Sequence, residues 1–361
     1  MHRPRFLDFF AGSGLVTEAL RDDFNAVWAN DCSAKKAQVY QCNHLGHVFD
    51  PRSIELVRGV KLPDAELSWA SFPCQDLSLA GKLNGIRGER SGMVWEWLRV
   101  MEEMGERRPP IVAVENVVGL VSAESGEHYR ALHHALRRLG YKAGAIVLDA
   151  ELWLPHSRPR VFVVGVPREL EVGSLSDEAP NWLHNDAIRR ARAKLQDWVW
   201  WHLPRPPPRA AKLDAVIEWE APHDDEKRSQ RNLALLPDNH RKRLLGELAN
   251  GFRVAPGYKR TRTRQVLELR FDGIAGCLRT PEGGSSRQYL ILRRPDGRLV
   301  SRLITIREAA RLMGAPEHYH LPANYNDAYS ALGDAVAVPP VRHLGAHLLA
   351  PLANLAAGVL A

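Results

Sequence analysis

Between Arg5 and Val166 short apolar runs alternate with helical stretches, and this alternation constrains the fold more than any other feature of the chain. Such a pattern predicts an α/β unit, a mostly parallel sheet covered by helices. RFLDFF (5–10) reads as a buried strand, AGSG as a tight turn, and LVTEALRDDF as a helix with Leu15, Ala19 and Leu20 in register. NAVWAND ends a second strand at Asp31, HVFDPRS brings up Asp50, and ELSWASF runs as a strand into Pro73, which ends ladder pairing. PPIVAVENVVGL is a β-branched strand ending at Glu115 and Asn116. AGAIVLDAELWLPHSRPRVFVVGV reads as two strands joined by a loop; as a hairpin, it carries Arg158 and Arg160 to the foot of an antiparallel strand.

Ligands and chemistry collect at the carboxyl edge of such sheets. Cys74, just past the strand that ends at Pro73, is therefore placed to react, although a lone cysteine is more often a small buried hydrophobe. Glu115 reaches the same edge, either as an acid/base group or as a cap. Phe10, Gly12 and Gly14 form a turn that lets a ligand approach a helix N-terminus, but the spacing is G-x-G, without the third glycine of the dinucleotide fingerprint. Asp31, seventeen residues past Gly14, is placed to take ribose hydroxyls or to cap the next helix, and Asp50 to serve the adenine end of the same ligand.

The alternation stops at Pro167. EVGSLSDEAP looks like a linker, Trp182 to Trp201 like a helix, and LPRPPPR like a stiff spacer. The chain carries a net charge of +7, and residues 231–270 hold ten Lys or Arg against three acids, an excess equal to that of the whole chain. A basic lobe beside a neutral one is the pattern of phosphate gripping in one part and chemistry in another. Arg260, Arg262 and Arg264 lie in that stretch, and Arg287 and Gln288, beside Gly283 and Gly284, are donor types that read purine edges or bind phosphate. TIREAARLMG is a capped helix, and the apolar C-terminal helix must return to pack on the first lobe. The expected organisation is a catalytic domain at 1–167, a recognition domain at 168–319 of mostly irregular β structure, and a returning segment at 320–361.

Four cysteines without C-x-x-C spacing exclude a zinc finger or a disulfide framework, and His343 with His347 lacks a third ligand, so no metal is expected. No uncharged apolar run of membrane-spanning length exists, and Asp8 interrupts the only apolar run near the N-terminus, so no signal peptide is read.

Taken in order, DFFAGSG, Asp31, FPCQDLSLAG, VENV, the R-x-R hairpin, a basic lobe, TIREAARLMG and a Y-x-x-x-G-D-A-V tail resemble the cytosine-5 DNA methyltransferase family over the first 166 and roughly the last 60 residues. That resemblance implies a Rossmann-like methyltransferase domain with a smaller target-recognition domain. Cys74 matches the nucleophile, Glu115 the group acting at ring nitrogen 3, and Arg160 with Arg158 the arginines that hold the ring oxygen and the loop. It implies S-adenosyl-L-methionine as donor, leaving as S-adenosyl-L-homocysteine, held by Phe10, Gly12, Gly14, Asp31, Asp50, Pro73 and Asp334. Double-stranded DNA is the implied partner, contacted by Arg260, Arg262, Arg264, Arg287 and Gln288, with a cognate restriction endonuclease as a further candidate. The expected state is a cytoplasmic, nucleoid-associated monomer. His156 stands where the family commonly has glutamine, and Asp334 where its tail commonly has asparagine; the second departure bears on donor affinity or identity. The rival readings are a tRNA cytosine-5 methyltransferase, a same-fold enzyme with an altered donor, a DNA-binding protein without turnover and, from G-x-G alone, a nicotinamide dehydrogenase.

Overall fold

The structure, a computed structural model, describes residues 3–73, 92–261, 263–280 and 287–360. Cys74, Arg262, Gly283 and Gly284 lie outside the described residues. The chain divides into two compact units, one of residues 1–149, 159–205 and 340–361, the other of 150–158 and 206–339.

The first unit is built on seven strands: β1 (Arg5–Phe9), β2 (Asn25–Asn30), β3 (Phe49–Asp50), β4 (Leu67–Ala70), β5 (Ile111–Val117), β6 (Tyr141–Asp149) and β7 (Pro159–Pro167). They lie in the order β3-β2-β1-β4-β5-β7-β6, with β7 antiparallel to both of its neighbours. The expected hairpin is therefore present, with Asp149 opposite Pro159. The chain leaves β1 towards β2 and β3 on one side and later enters β4 on the other, so the sheet switches direction between β1 and β4. A crevice opens at such a point, and the two loops that frame it are the glycine turn after Phe9 and the segment after Ala70. Both strands are apolar because helices cover both faces: Leu7, Phe9, Leu67, Trp69 and Ala70 are fully buried. Trp97, on the helix Met93–Glu103, satisfies its buried indole N–H on Ser68 Oγ at 3.0 Å.

Residues 168–205 belong to this unit, which corrects the expected boundary at 167/168. The Ala143 amide donates to the Asp197 carbonyl at 3.0 Å and its carbonyl accepts the Val199 amide at 3.3 Å, and the approach is so close that a Cβ on Gly144 would lie 1.9 Å from the Val199 carbonyl. Trp201 buries its indole against the same sheet and donates to the Val164 carbonyl at 3.0 Å. The expected helix from Trp182 to Trp201 is only Asp186–Arg192; beyond it the tryptophans pair as a strand, β9 (Trp200–Trp201), with β8 (Ser176–Asp177). Alternating tryptophans suit a pleated surface, and burying them outweighs helical spacing. The boundary falls instead inside LPRPPPR, and the return begins at 340 rather than 320. In the returning segment Gly345 is held against Leu20, where a Cβ would lie 2.7 Å from its methyl group.

The second unit contains a four-stranded antiparallel sheet of β10 (Val254–Thr261), β11 (Gln265–Leu269), β12 (Gln288–Arg293) and β13 (Leu299–Leu303), in the order β11-β10-β12-β13. Helices Glu226–Ala234 and Asp238–Ala249, which the periodicity does not announce, lie in the same unit. Leu236, Leu244, Ala255, Leu267, Leu269 and Ile291 form its core. TIREAAR forms the expected capped helix: Thr305 Oγ1 accepts from the Glu308 amide at 3.1 Å, and the Glu308 carboxylate accepts from the Thr305 amide at 2.8 Å.

Candidate active site

In the first unit the glycine turn is held open by its own backbone. Phe10, Gly12 and Gly14 all have positive φ, at 58°, 56° and 85°. For Phe10 this left-handed geometry costs on the order of 1–3 kcal/mol, a strain that concentrates where backbone is aimed at a ligand. Asp31, the first residue past β2, accepts the Gly12 amide on Oδ2 at 3.0 Å and the Ser33 amide on Oδ1 at 2.8 Å. Its carboxylate is thereby fixed at the mouth of the turn. A Cβ on Gly12 would meet only the Phe10 carbonyl, at 3.9 Å, so the turn presents bare backbone.

Beneath the turn lies a polar chain that sequence reasoning passed over. Asp8, fully buried in β1, accepts the Thr17 hydroxyl at 2.9 Å, Thr17 meets the Tyr40 hydroxyl at 3.1 Å, and Tyr40 meets His47 Nδ1 at 3.4 Å. Burial pushes the Asp8 carboxyl up to about 7; the Thr17 hydrogen bond works against that shift and the nearby charge of Asp31 adds to it. Its Oδ1 has no hydrogen-bond partner among the described residues. His44 caps the turn from the far side, with Nε2 2.9 Å from the Gly14 carbonyl. Burial pulls that imidazole down to about 4, so at neutral pH it is uncharged and donates through Nε2–H. The one signal for this chain was an aspartate in the middle of RFLDFF.

Asp50 is more committed than the sequence implied. Arg52 grips it through Nε at 2.9 Å and Nη2 at 2.6 Å, and these bonds hold the carboxyl below its ordinary value. Asn30 bonds the carbonyls of Asp50 and Arg52 at 2.9 and 2.7 Å, which fixes the tip of β3 against β2.

On the other side of the switch point, Glu115 and Arg160 form an ion pair, Nε to Oε1 2.9 Å, with Glu115 only 6% exposed. Register explains the meeting: Glu115 lies opposite Phe162 and Val117 opposite Arg160, so two strands of opposite direction bring the side chains to one edge. Asn116 donates its side-chain amide to the Phe72 carbonyl at 2.9 Å, and its Oδ1 accepts the Val117 amide at 2.9 Å. The end of β5 thus anchors the backbone immediately before Pro73, which is exposed.

Arg158 has a different task. It is 2% exposed and spends its guanidinium inside the second unit, on the carbonyls of Leu278 at 2.9 Å, Gly333 at 2.8 Å and Ala335. It is a clamp on the GDAV turn; the expected partnership with Arg160 at the ring gives way to this one, because Arg158 precedes β7, which begins at Pro159, and belongs with residues 150–158 to the second unit. His156, fully buried, donates Nδ1–H to the Leu312 carbonyl at 2.8 Å and accepts the Leu278 amide on Nε2 at 3.3 Å. It thus offers one donor and one acceptor, as a glutamine side chain would. Asp334 is exposed at the C-terminal cap of the helix Tyr325–Gly333.

Arg260 is exposed near the end of β10 and pairs with Glu268 at 3.3 Å; Arg264 is exposed in the β10–β11 turn. Arg287 reaches Asn326 Oδ1 at 2.6 Å. Gln288 is a correction: it is 0% exposed, its side-chain oxygen accepts the Tyr258 hydroxyl at 2.7 Å, and its backbone N–H donates to the Tyr329 hydroxyl at 3.2 Å. Position 288 alternates inward on β12, so its side chain serves the core and reads no groove. Among the described residues no three His, Cys, Asp or Glu gather as metal ligands; His343 gives Nε2 to the Pro204 carbonyl at 2.9 Å.

Comparison with known proteins decides the family. The model for the C-5 cytosine-specific DNA methylase family matches residues 4–350. The chain belongs to that family. It is 25% identical to the Type II methyltransferase M.HpaII of Haemophilus parainfluenzae over 97% of this chain and 90% of that protein. It is likewise 25% identical to M.HhaI of Haemophilus parahaemolyticus over 94% and 92%, and 24% identical to M.BsuFI of Bacillus subtilis over 93% and 70%. Among solved structures, S. pombe Dnmt2 matches at TM-score 0.59 and 18% identity over 99% of both chains, and Spodoptera frugiperda DNMT2 at 0.62 and 15% over 94% and 98%. The protein is accordingly a cytosine-5 DNA methyltransferase with a Rossmann-like catalytic fold, and the nicotinamide reading falls. No helix of the described residues is long and apolar enough to cross a membrane.

Proposed function

We propose that the enzyme methylates carbon 5 of a cytosine turned out of double-stranded DNA, with S-adenosyl-L-methionine as donor, as the modification partner of a restriction endonuclease. The observation that carries the reading is the Glu115–Arg160 pair at the edge where Asn116 holds Phe72, two residues before Cys74.

Carbon 5 of cytosine is a poor nucleophile until a thiolate adds at carbon 6. Cys74 supplies that sulfur. As the C–S bond forms, charge builds on the ring, and Glu115 meets it with a proton or strong hydrogen bond at nitrogen 3. Arg160 orients the Glu115 carboxyl and lends its remaining N–H groups to the ring oxygen. Loss of the carbon 5 proton then returns the electron pair that expels the thiolate. The donor site is read from Asp31 at the mouth of the positive-φ turn, with ribose on the Asp31 carboxylate and backbone of Phe10 to Gly14 beneath; these groups fit such a ligand. Asp50 and Pro73 are assigned to the same ligand, and Asp334 to its amino-acid end. When bound, S-adenosyl-L-methionine supplies the electrophilic methyl group. Arg260, Arg262, Arg264 and Arg287 are assigned to DNA phosphates, which repay the few kcal/mol of base extrusion. A monomer suffices for this chemistry.

Tritium transfer from labelled donor to duplex DNA, followed by bisulfite sequencing, tests the reading. Cys74→Ser is expected to abolish transfer and to keep donor and DNA binding, whereas wild-type transfer to tRNA and none to DNA overturns it.

A further inference from the structure

The second unit carries a cavity of about 440 Å³ whose lining includes none of the residues assigned to cytosine chemistry. It is lined by Trp219, His223, Phe252, Arg253, Arg293 and Arg294, among others. It lies at the Val254 end of the β10–β12 ladder, where Val254 faces Leu292. Arg264, exposed in the β10–β11 turn, lies beyond the opposite end of β10, whose seven residue steps span roughly 23 Å.

Three guanidinia meet one lining carboxylate, Glu220. Among the described residues each is anchored by one side-chain N–H: Arg253 to Asp214 at 3.3 Å, Arg293 to the Leu248 carbonyl at 3.1 Å, and Arg294 to the Trp219 carbonyl at 3.4 Å. A guanidinium has five N–H donors, so each keeps most of its donors unspent while its position is fixed. Arg253 also lies over the Trp219 ring, 4.1 Å from its centroid, which stiffens both side chains. Pre-positioned guanidinia lining one cavity match the oxygens of a phosphate. The aromatic walls and the volume match an attached base and sugar.

We infer that this cavity binds the phosphate of a nucleotide unit, with its base or sugar against Phe252 and Trp219. That chemistry comes either from a free mononucleotide or from the backbone of duplex DNA extending past the target.

The test uses the full chain and the double variant R293Q/R294Q; Arg293 is exposed and Arg294 half-buried, and both lie outside the proposed catalytic and DNA-reading sets. Calorimetry with inorganic phosphate and with deoxyguanosine monophosphate reads the free ligand. Binding of duplexes of about 12 and 30 base pairs, at several salt concentrations, reads the backbone source. A free-nucleotide site predicts at least tenfold weaker mononucleotide binding in the variant, with both duplexes unaffected. A backbone site predicts at least tenfold weaker binding of the longer duplex alone and a log–log salt slope reduced by about two. Methyl transfer to the short duplex stays at the wild-type rate in either case. Absence of mononucleotide binding together with identical duplex affinities and slopes in both proteins overturns the inference, and the short-duplex rate reports separately on the enzymatic reading.

Discussion

The side-chain amide of Asn116 bonds the carbonyl of Phe72 at 2.9 Å, although 44 residues separate them. Through this bond the end of β5, which carries Glu115, sets the start of the segment that carries Cys74. Asn116→Ala removes the bond and leaves a buried carbonyl without a partner. The expected result is a 10- to 100-fold lower single-turnover rate, the scale on which small misplacement of reacting groups acts. Affinity for DNA and donor should change less than threefold; an unchanged rate shows that the anchor is dispensable.

Glu115 and Arg160 act as a unit. Glu115→Gln keeps the shape but removes the charge that holds Arg160 and, on the proposed mechanism, the proton for nitrogen 3. A loss of about 10²–10⁴ in kcat is expected, with DNA affinity retained. Arg160→Lys keeps a cation but not the planar fork, and should lose at least tenfold in kcat. Additive losses in the double variant would show that the two residues work independently.

Arg158 predicts a stability effect. Arg158→Ala deprives the carbonyls of Leu278, Gly333 and Ala335 of their donor and opens a buried void. The cost should reach about 3 kcal/mol or more, read as an earlier unfolding transition. Arg158→Lys, with fewer and less well aimed donors, should recover only part of it. A variant as stable as wild type contradicts the clamp.

Asp8 predicts a pH dependence. Folding raises its carboxyl from 3.8 to about 7, through burial first. Between those values the folded chain holds a proton that the unfolded chain has released, so stability declines as pH rises through the window and is level above it. Asp8→Asn removes that decline. Its stability relative to wild type should therefore improve by on the order of 2–4 kcal/mol from pH 4 to pH 8. Parallel profiles would show that Asp8 ionises freely in the folded protein.

Much of this was legible in the chain itself. That strands end close before Asp31 and Pro73 follows from where apolar alternation gives way to polar or proline residues, which is local information, whereas β5 runs on past Glu115 to Val117. The β6–β7 hairpin and the capped helix at Thr305 are local as well. The tryptophans at 198, 200 and 201 were misread because helical and strand spacing differ little over so short a run, and only the Gly144 surface they cover decides between them.

What the linear order of residues determined is the catalytic lobe's alternation, its carboxyl-edge chemistry and its family. What tertiary structure alone decided is the partner of each polar side chain. Arg158 and Arg160, two positions apart, bind a backbone turn and a carboxylate respectively, and Gln288 turns into a core while Arg287, half-buried, reaches Asn326. The reason is physical: a buried donor takes whatever acceptor the packing brings within 3 Å, and contacts between residues 44 to 177 apart in the chain cannot be read from spacing.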